Sequence, residues 1–164
     1  MEERFLIRPA ARADVPELLR LIRELAIYEK LEHQAVGTPE ALAASLFGGR
    51  PACEALIADV GGRAVGFALF FTTFSTFLCK PGLYLEDLFV EPAYRGLGLG
   101  KALLARLAAM TVERGGGRFE WRVLDWNEPS IRFYESLGAV IMREWLLARM
   151  TGPELARLAA TATR

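Results

Sequence analysis

The sequence predicts an α/β (α+β) chain: a mixed central β-sheet flanked by helices. Three observations lead there. Runs rich in β-branched and aromatic residues alternate with stripes of leucine at helical spacing. Two β-rich runs are separated only by Gly61-Gly62, the spacing of a tight hairpin. The stretch Tyr84 to Lys101 passes from an apolar strand through a glycine-rich turn into a leucine-bearing helix. With 164 residues, 52% of them hydrophobic, a single domain over 1–164 with one ample core is expected.

Each element has a local reason. Phe5 to Arg8 reads as a first strand. Asp14 and Glu17 form a capping-box pattern, and Leu18, Leu21, Ile22 and Leu25 continue it as a helical stripe toward Tyr28. Thr38-Pro39 opens a second helix, which Gly48-Gly49 ends. Ala52 to Val60 and Arg63 to Thr73 form the hairpin. Phe74 to Gly82 is expected to be an apolar loop. Leu83 to Val90 is apolar almost throughout, as a central strand is. A helix from about Gly98 to Glu113 stops at Gly115-Gly116-Gly117. Arg118 to Leu124 is the next strand. Asn127-Glu128-Pro129 opens a helix that Gly138 ends. Ala139 to Met142 and Trp145 to Met150 are short strand candidates, and Thr151-x-x-Glu154 caps a last helix.

Composition narrows the function classes. Formal net charge is zero, so the basic footprint of a nucleic-acid binder is missing. Cys53 and Cys79 are too few for a disulfide framework. The charged start (Glu2, Glu3, Arg4) and the interrupted apolar run Ala64 to Phe77 argue against a secretory or membrane segment, so a cytoplasmic protein is expected. No His/Cys/Asp cluster has metal-ligand spacing, and no metal is expected. His33 reads as a loop residue. Ser75 and Cys79 lack a basic partner nearby in sequence. Trp121, Trp126 and Trp145 read as core or pocket-wall aromatics.

The informative stretch carries Glu86 and Asp87 in an apolar strand, then Gly96, Gly98 and Gly100 at a helix start. Free backbone N–H groups at a helix N-terminus make an anion site. The dinucleotide fingerprint fails, because its third glycine would fall on Lys101. The P-loop fails too, because its slots hold Arg95 and Ala102. A glycine-rich helix entry with no ligand remains the bland alternative. On a regular strand Glu86 and Asp87 face opposite sides of the sheet. Only one of the two can then face a substrate directly.

What remains, Arg95-Gly96-x-Gly98-x-Gly100 after an apolar strand, resembles the acyl-CoA pyrophosphate loop of the GNAT superfamily, the Gcn5-related N-acetyltransferases. Leu85-Glu86-Asp87-Leu88-Phe89-Val90, Tyr94-Arg95-Gly96 and Asp125-Trp126-Asn127-Glu128-Pro129-Ser130-Ile131-x-Phe133-Tyr134 resemble the diamine acetyltransferase branch, which includes spermidine/spermine and thialysine acetyltransferases. Leu21-Ile22-Arg23-Glu24-Leu25-Ala26 and Tyr28-Glu29-Lys30 match as well.

The resemblance implies a single GNAT-like domain that moves an acetyl group from acetyl-CoA directly to a primary amine. It implies pyrophosphate contacts at Arg95, Gly96, Leu97, Gly98, Leu99, Gly100 and Lys101. It implies pantetheine pairing at Leu88, Phe89 and Val90, and further cofactor contacts at Asn127, Ser130 and Tyr134. Glu86 resembles the general base, which leaves Asp87 as a structural residue paired with an arginine, and Tyr134 resembles the general acid. Burial among Leu83, Leu85 and Leu88 is expected to raise the Glu86 pKa. Tyr28, Glu29, Glu120 and Arg122 align with the substrate wall. Homodimers are common in the family, and the apolar stretch Trp145 to Met150 would suit one.

The amine is less defined. The Thr73 to Lys80 loop has no acid and one lysine, unlike the acidic channel of the polyamine branch. A compact amine or a thialysine-like amino acid therefore fits better than spermidine or spermine. Arg122 either meets a substrate carboxylate or pairs with Glu120, which lies two residues away on the same strand face. Tyr134 shares its helix with Ile131, Phe133 and Leu137 and on the residues alone reads as a core aromatic; the acid role is what the resemblance implies. A non-catalytic acyl-CoA binder and an acetyltransferase for a protein or peptide amine stay as alternatives.

Overall fold

The computed structural model describes residues 5–163. Ten elements follow in order: β1 (Phe5–Pro9), α1 (Val15–Tyr28), α2 (Pro39–Phe47), β2 (Glu54–Val60), β3 (Arg63–Ser75), β4 (Lys80–Val90), α3 (Leu99–Glu113), β5 (Phe119–Trp121), α4 (Glu128–Ser136) and α5 (Gly152–Ala159). Contacts group the chain into two compact units, Met1–Arg122 and Val123–Arg164. The first holds the sheet with α1, α2 and α3. The second holds α4 and α5.

The sheet runs β1-β2-β3-β4-β5. Its first four strands are antiparallel neighbours, and β5 lies parallel to β4. This is the mixed sheet expected from sequence. Short links join β2 to β3 and β3 to β4, the β1–β2 connection carries α1 and α2, and the parallel β4–β5 step needs a crossover, which α3 supplies. Leu18, Leu21 and Leu25 of α1 pack with Leu46 of α2 against Ile57, Phe67 and Phe89 of the sheet. Leu99, Leu103 and Leu107 of α3 are fully buried. Each such leucine contributes roughly 1.5–3 kcal/mol by leaving water.

Several expectations change. The Asp14–Glu17 capping box does not form. Asp14 has helical rather than extended backbone angles, and its carboxylate accepts the Arg8 guanidinium at 2.7 and 2.8 Å and the Ala11 N–H at 2.7 Å. Thr38 does cap α2, accepting the Ala41 N–H at 3.2 Å. Thr151 starts α5 without a side-chain hydrogen bond. The expected Phe74–Gly82 loop shrinks to 76–79, because Ser75 pairs with Lys80 and Phe74 with Pro81. The Arg118–Leu124 strand shortens to three residues. Residues 139–150 form no strand, and Trp145, Leu146 and Leu147 stand largely exposed. Apolar residues alone do not make a strand, since a ladder needs a neighbouring backbone. Trp126 and Trp145 are exposed rather than core residues. His33 sits in a short 3-10 turn, Glu32–Gln34. No helix among the described residues is long and apolar enough to cross a membrane.

One ion cluster fixes the far end of β4. Glu91 is buried and accepts Arg20 at 2.6 Å and Arg63 at 2.9 Å. Arg20 also donates to the Ala64 carbonyl, and Arg63 to the Tyr94 hydroxyl. The cluster ties α1, β3 and the turn after β4 together. We predict that Glu91→Ala lowers the unfolding free energy by about 1–3 kcal/mol in urea titrations. The loss stays below that of a deeply buried pair because both arginines can turn toward water.

Candidate active site

The site begins where β4 loses a neighbour. Its parallel pairing with β5 covers Leu83, Tyr84 and Leu85 and stops at Trp121. From Glu86 to Val90 the strand keeps β3 on one side and has no strand on the other among the described residues. The positions named for pantetheine, Leu88, Phe89 and Val90, all lie on this free edge.

A β-bulge opens at the same place. Leu69 faces Asp87 and Phe70 faces Leu85, so Glu86 is the extra residue. The bulge breaks the alternation on which opposite facing of Glu86 and Asp87 was expected. Cross-strand pairing puts Tyr84 with Phe71, and Asp87 with Leu69, on the sheet face that carries α1. The Tyr84 and Phe71 rings stack at 5.2 Å, as that pairing requires.

The carboxyls therefore differ from expectation. Glu86 is not buried among leucines. It is partly exposed and accepts Arg122 at 3.2 Å, while the Arg122 guanidinium lies 5.9 Å from the Tyr84 ring centre. Glu120 pairs with Arg118 at 2.9 Å and Arg122 with Glu86, and of the two alternatives for Arg122 the pair with Glu120 does not form. Burial raises the Asp87 carboxyl. Its pKa is pushed up to about 6, first by burial, then by the negative charges of Glu86 and Glu29, against a smaller opposing pull from Arg122. It has no arginine partner among the described residues. Glu29, at the end of α1, is also raised by burial. Sequence reasoning missed Asp87 as the perturbed acid. The adjacent acids were visible, but the bulge that turns one of them inward was not.

The glycine turn follows. Gly96 and Gly98 have φ of 81° and 85°, which side chains with a Cβ rarely adopt. Gly98 is the N-cap of α3, and no side chain caps it. The first amides of α3, from Leu99 to Lys101, thus keep their hydrogen-bonding capacity at the positive end of the helix dipole. Leu99 is buried and anchors the turn, while Leu97 is half exposed. Arg95 donates its Nε to the Val90 carbonyl at 3.0 Å and lies 4.9 Å from the Tyr28 ring centre. Tyr28, Glu29, Glu86, Asp87, Arg122 and the glycine turn all belong to the first unit.

Asn127, Ser130 and Tyr134 belong to the second unit. Asn127 caps α4 and accepts the Ser130 N–H at 3.4 Å. Spacings of three and four residues put all three on one helix face. Tyr134 is buried, with its ring 5.5 Å from that of Phe133. Among the described residues no group of three His, Cys, Asp or Glu is placed to hold a metal.

The free β4 edge, the bulge and the uncapped glycine turn follow one another along one stretch of the first unit. The profile of the Acetyltransferase (GNAT) family matches residues 19–139. The chain belongs to the GNAT acetyltransferase family. A mouse thialysine N-epsilon-acetyltransferase is 37% identical, over 93% of this chain and 96% of the relative. An L-ornithine N5-acetyltransferase of Arabidopsis thaliana is 34% identical, over 91% of this chain and 85% of the relative. A solved integron cassette protein from the V. cholerae mobile metagenome superposes with a TM-score of 0.81 and 26% identity, over 98% and 99% of the two chains. This GNAT chain is an N-acetyltransferase with a single GNAT fold.

For this acetyltransferase, Asp87 yields a pH-dependent prediction. A carboxyl raised in the fold stabilises it fully below its unfolded pKa near ~4, and loses that contribution as pH rises through about 6. Above that, the ionised group costs stability. Asp87→Asn should be close to neutral at pH 4 and should raise stability at pH 8 by about 2–3 kcal/mol. Melting curves across that range test this. A constant offset at every pH would reject it.

Proposed function

We propose that this enzyme transfers the acetyl group of acetyl-CoA directly to the terminal amine of a compact amino acid of the thialysine or ornithine type, rather than to a long polyamine. The observation that carries the reading is the free β4 edge running into uncapped α3 amides. Such an edge suits an extended pantetheine arm in the manner of an added strand. The amides suit a pyrophosphate. On this reading Leu88, Phe89 and Val90 would hold the arm, Arg95 to Lys101 the pyrophosphate, and Asn127, Ser130 and Tyr134 further parts of the cosubstrate. When bound, acetyl-CoA supplies an activated thioester.

The protein's own groups do the proton work. An alkylammonium with pKa near ~10.4 must lose a proton before it attacks. Glu86 is the proposed base, and Tyr134 the proposed acid that protonates the departing sulfur. Glu29 and Asp87 add negative charge that would draw the ammonium in. Arg122, held by Glu86 in a partly exposed pair, is the proposed receptor for the substrate carboxylate. The names of the thialysine and ornithine relatives support an amino-acid amine. The exposed apolar side chains of Trp145, Leu146, Leu147 and Met150 support a homodimer in which that segment is covered.

An amine panel with acetyl-CoA, followed by thiol release, tests the reading. Thialysine, ornithine and lysine should turn over faster than putrescine, spermidine or an aminoglycoside. No turnover on any amine would sink it. Glu86→Gln and Tyr134→Phe should each lower kcat by about 10²–10⁴-fold while coenzyme A still binds. Full activity in either variant removes that residue's role. Arg122→Gln should raise KM for ornithine by about tenfold or more and leave KM for putrescine, which lacks the carboxylate, within about twofold. Equal effects on both would remove the carboxylate assignment.

A further inference from the structure

Tyr28 ends α1 and is 37% exposed. Its ring lies 4.9 Å from the Arg95 guanidinium carbon, within the range of a cation–π contact. Phe89, a buried core residue, lies on the same guanidinium at 5.7 Å. The Nε of Arg95 is spent on the Val90 carbonyl, which fixes the side chain against the end of β4. Among the described residues its two Nη groups make no hydrogen bond or ion pair. A guanidinium gripped through one nitrogen and by two rings, the nearer that of Tyr28, with both terminal nitrogens uncommitted, stands at the residue before Gly96. The amides that follow it are uncapped.

We infer that Tyr28 is a positioning residue for the cosubstrate: it holds the Arg95 guanidinium ready to meet the pyrophosphate. This rests on the reading of the glycine turn as the coenzyme A site. A loose arginine loses side-chain freedom on meeting a phosphate, and a stacked one has already lost much of it. Glu91 fixes where the turn starts, through Arg20 and Arg63. Tyr28 fixes the side chain that the turn presents, and it does so from α1, an element separate from the turn. A residue aligned with the amine wall therefore also serves the cosubstrate.

The test is coenzyme A binding by calorimetry, without amine, to the wild type and to Tyr28→Leu, Tyr28→Phe, Arg95→Gln and the Tyr28→Leu/Arg95→Gln double variant. Circular dichroism confirms that each is folded. Tyr28→Leu should weaken binding about two- to fivefold, the scale of one exposed cation–π contact. Tyr28→Phe keeps a ring and should stay within about twofold of the wild type. The double variant should bind no more weakly than Arg95→Gln alone, because Tyr28 acts through Arg95. Unchanged binding in Tyr28→Leu, equal losses in Leu and Phe, or multiplying losses in the double variant would each overturn the inference. A wild type that binds no coenzyme A would overturn the cosubstrate reading itself, and this inference with it.

Discussion

The structure of the site depends on β4 outliving its partner. A parallel strand reached by a crossover need not match its neighbour in length, and β5 ends after three residues. β4 continues for five more. A bare sheet edge invites unwanted strand pairing. Here it is short and bulged at Glu86, and it is followed directly by the turn that carries Arg95 on the Val90 carbonyl. Had β5 continued to Leu124, as expected from sequence, the protein's own backbone would cover the edge as far as Leu88.

The two ends of that free stretch treat negative charge in opposite ways. Glu91 is buried but meets two arginines, so its charge is neutralised and serves as an anchor. Asp87 is largely buried beside two further carboxylates and meets none. Burial without a counter-charge costs stability and shifts the pKa, whereas a buried acid that meets its counter-charges serves as an anchor. The chain has as many basic as acidic side chains, so the difference is one of placement and not of supply.

Much of this was legible in the sequence because its signals are local. Thr38-Pro39, Gly61-Gly62 and the leucine stripe of α3 each specify an element within a few residues, and each forms. The glycine turn was legible because positive φ selects glycine. What escaped depends on a second segment. The bulge at Glu86 exists only relative to β3, and the length of β5 only relative to β4. The Asp14 capping box lost to Arg8, whose position comes from the β1–β2 pairing. Residues 139–150 carry the apolar pattern of strands, yet a pattern cannot provide the neighbour.

The same dependence sharpens the chemical question of the base. Negative charge near an ammonium favours its bound, protonated form, so carboxylates that attract the amine also hold its proton in place. Transfer from an amine of pKa ~10.4 to an ordinary carboxylate of ~4.3 is uphill by about 8 kcal/mol, and to one near 6 by about 6 kcal/mol. Burying Asp87 thus lowers the thermodynamic cost of accepting a proton at that position, whereas Glu86, paired with Arg122, stays nearer to water. The bulge sets up that division, because it places two adjacent carboxyls near one another while giving them different access to solvent and to arginine.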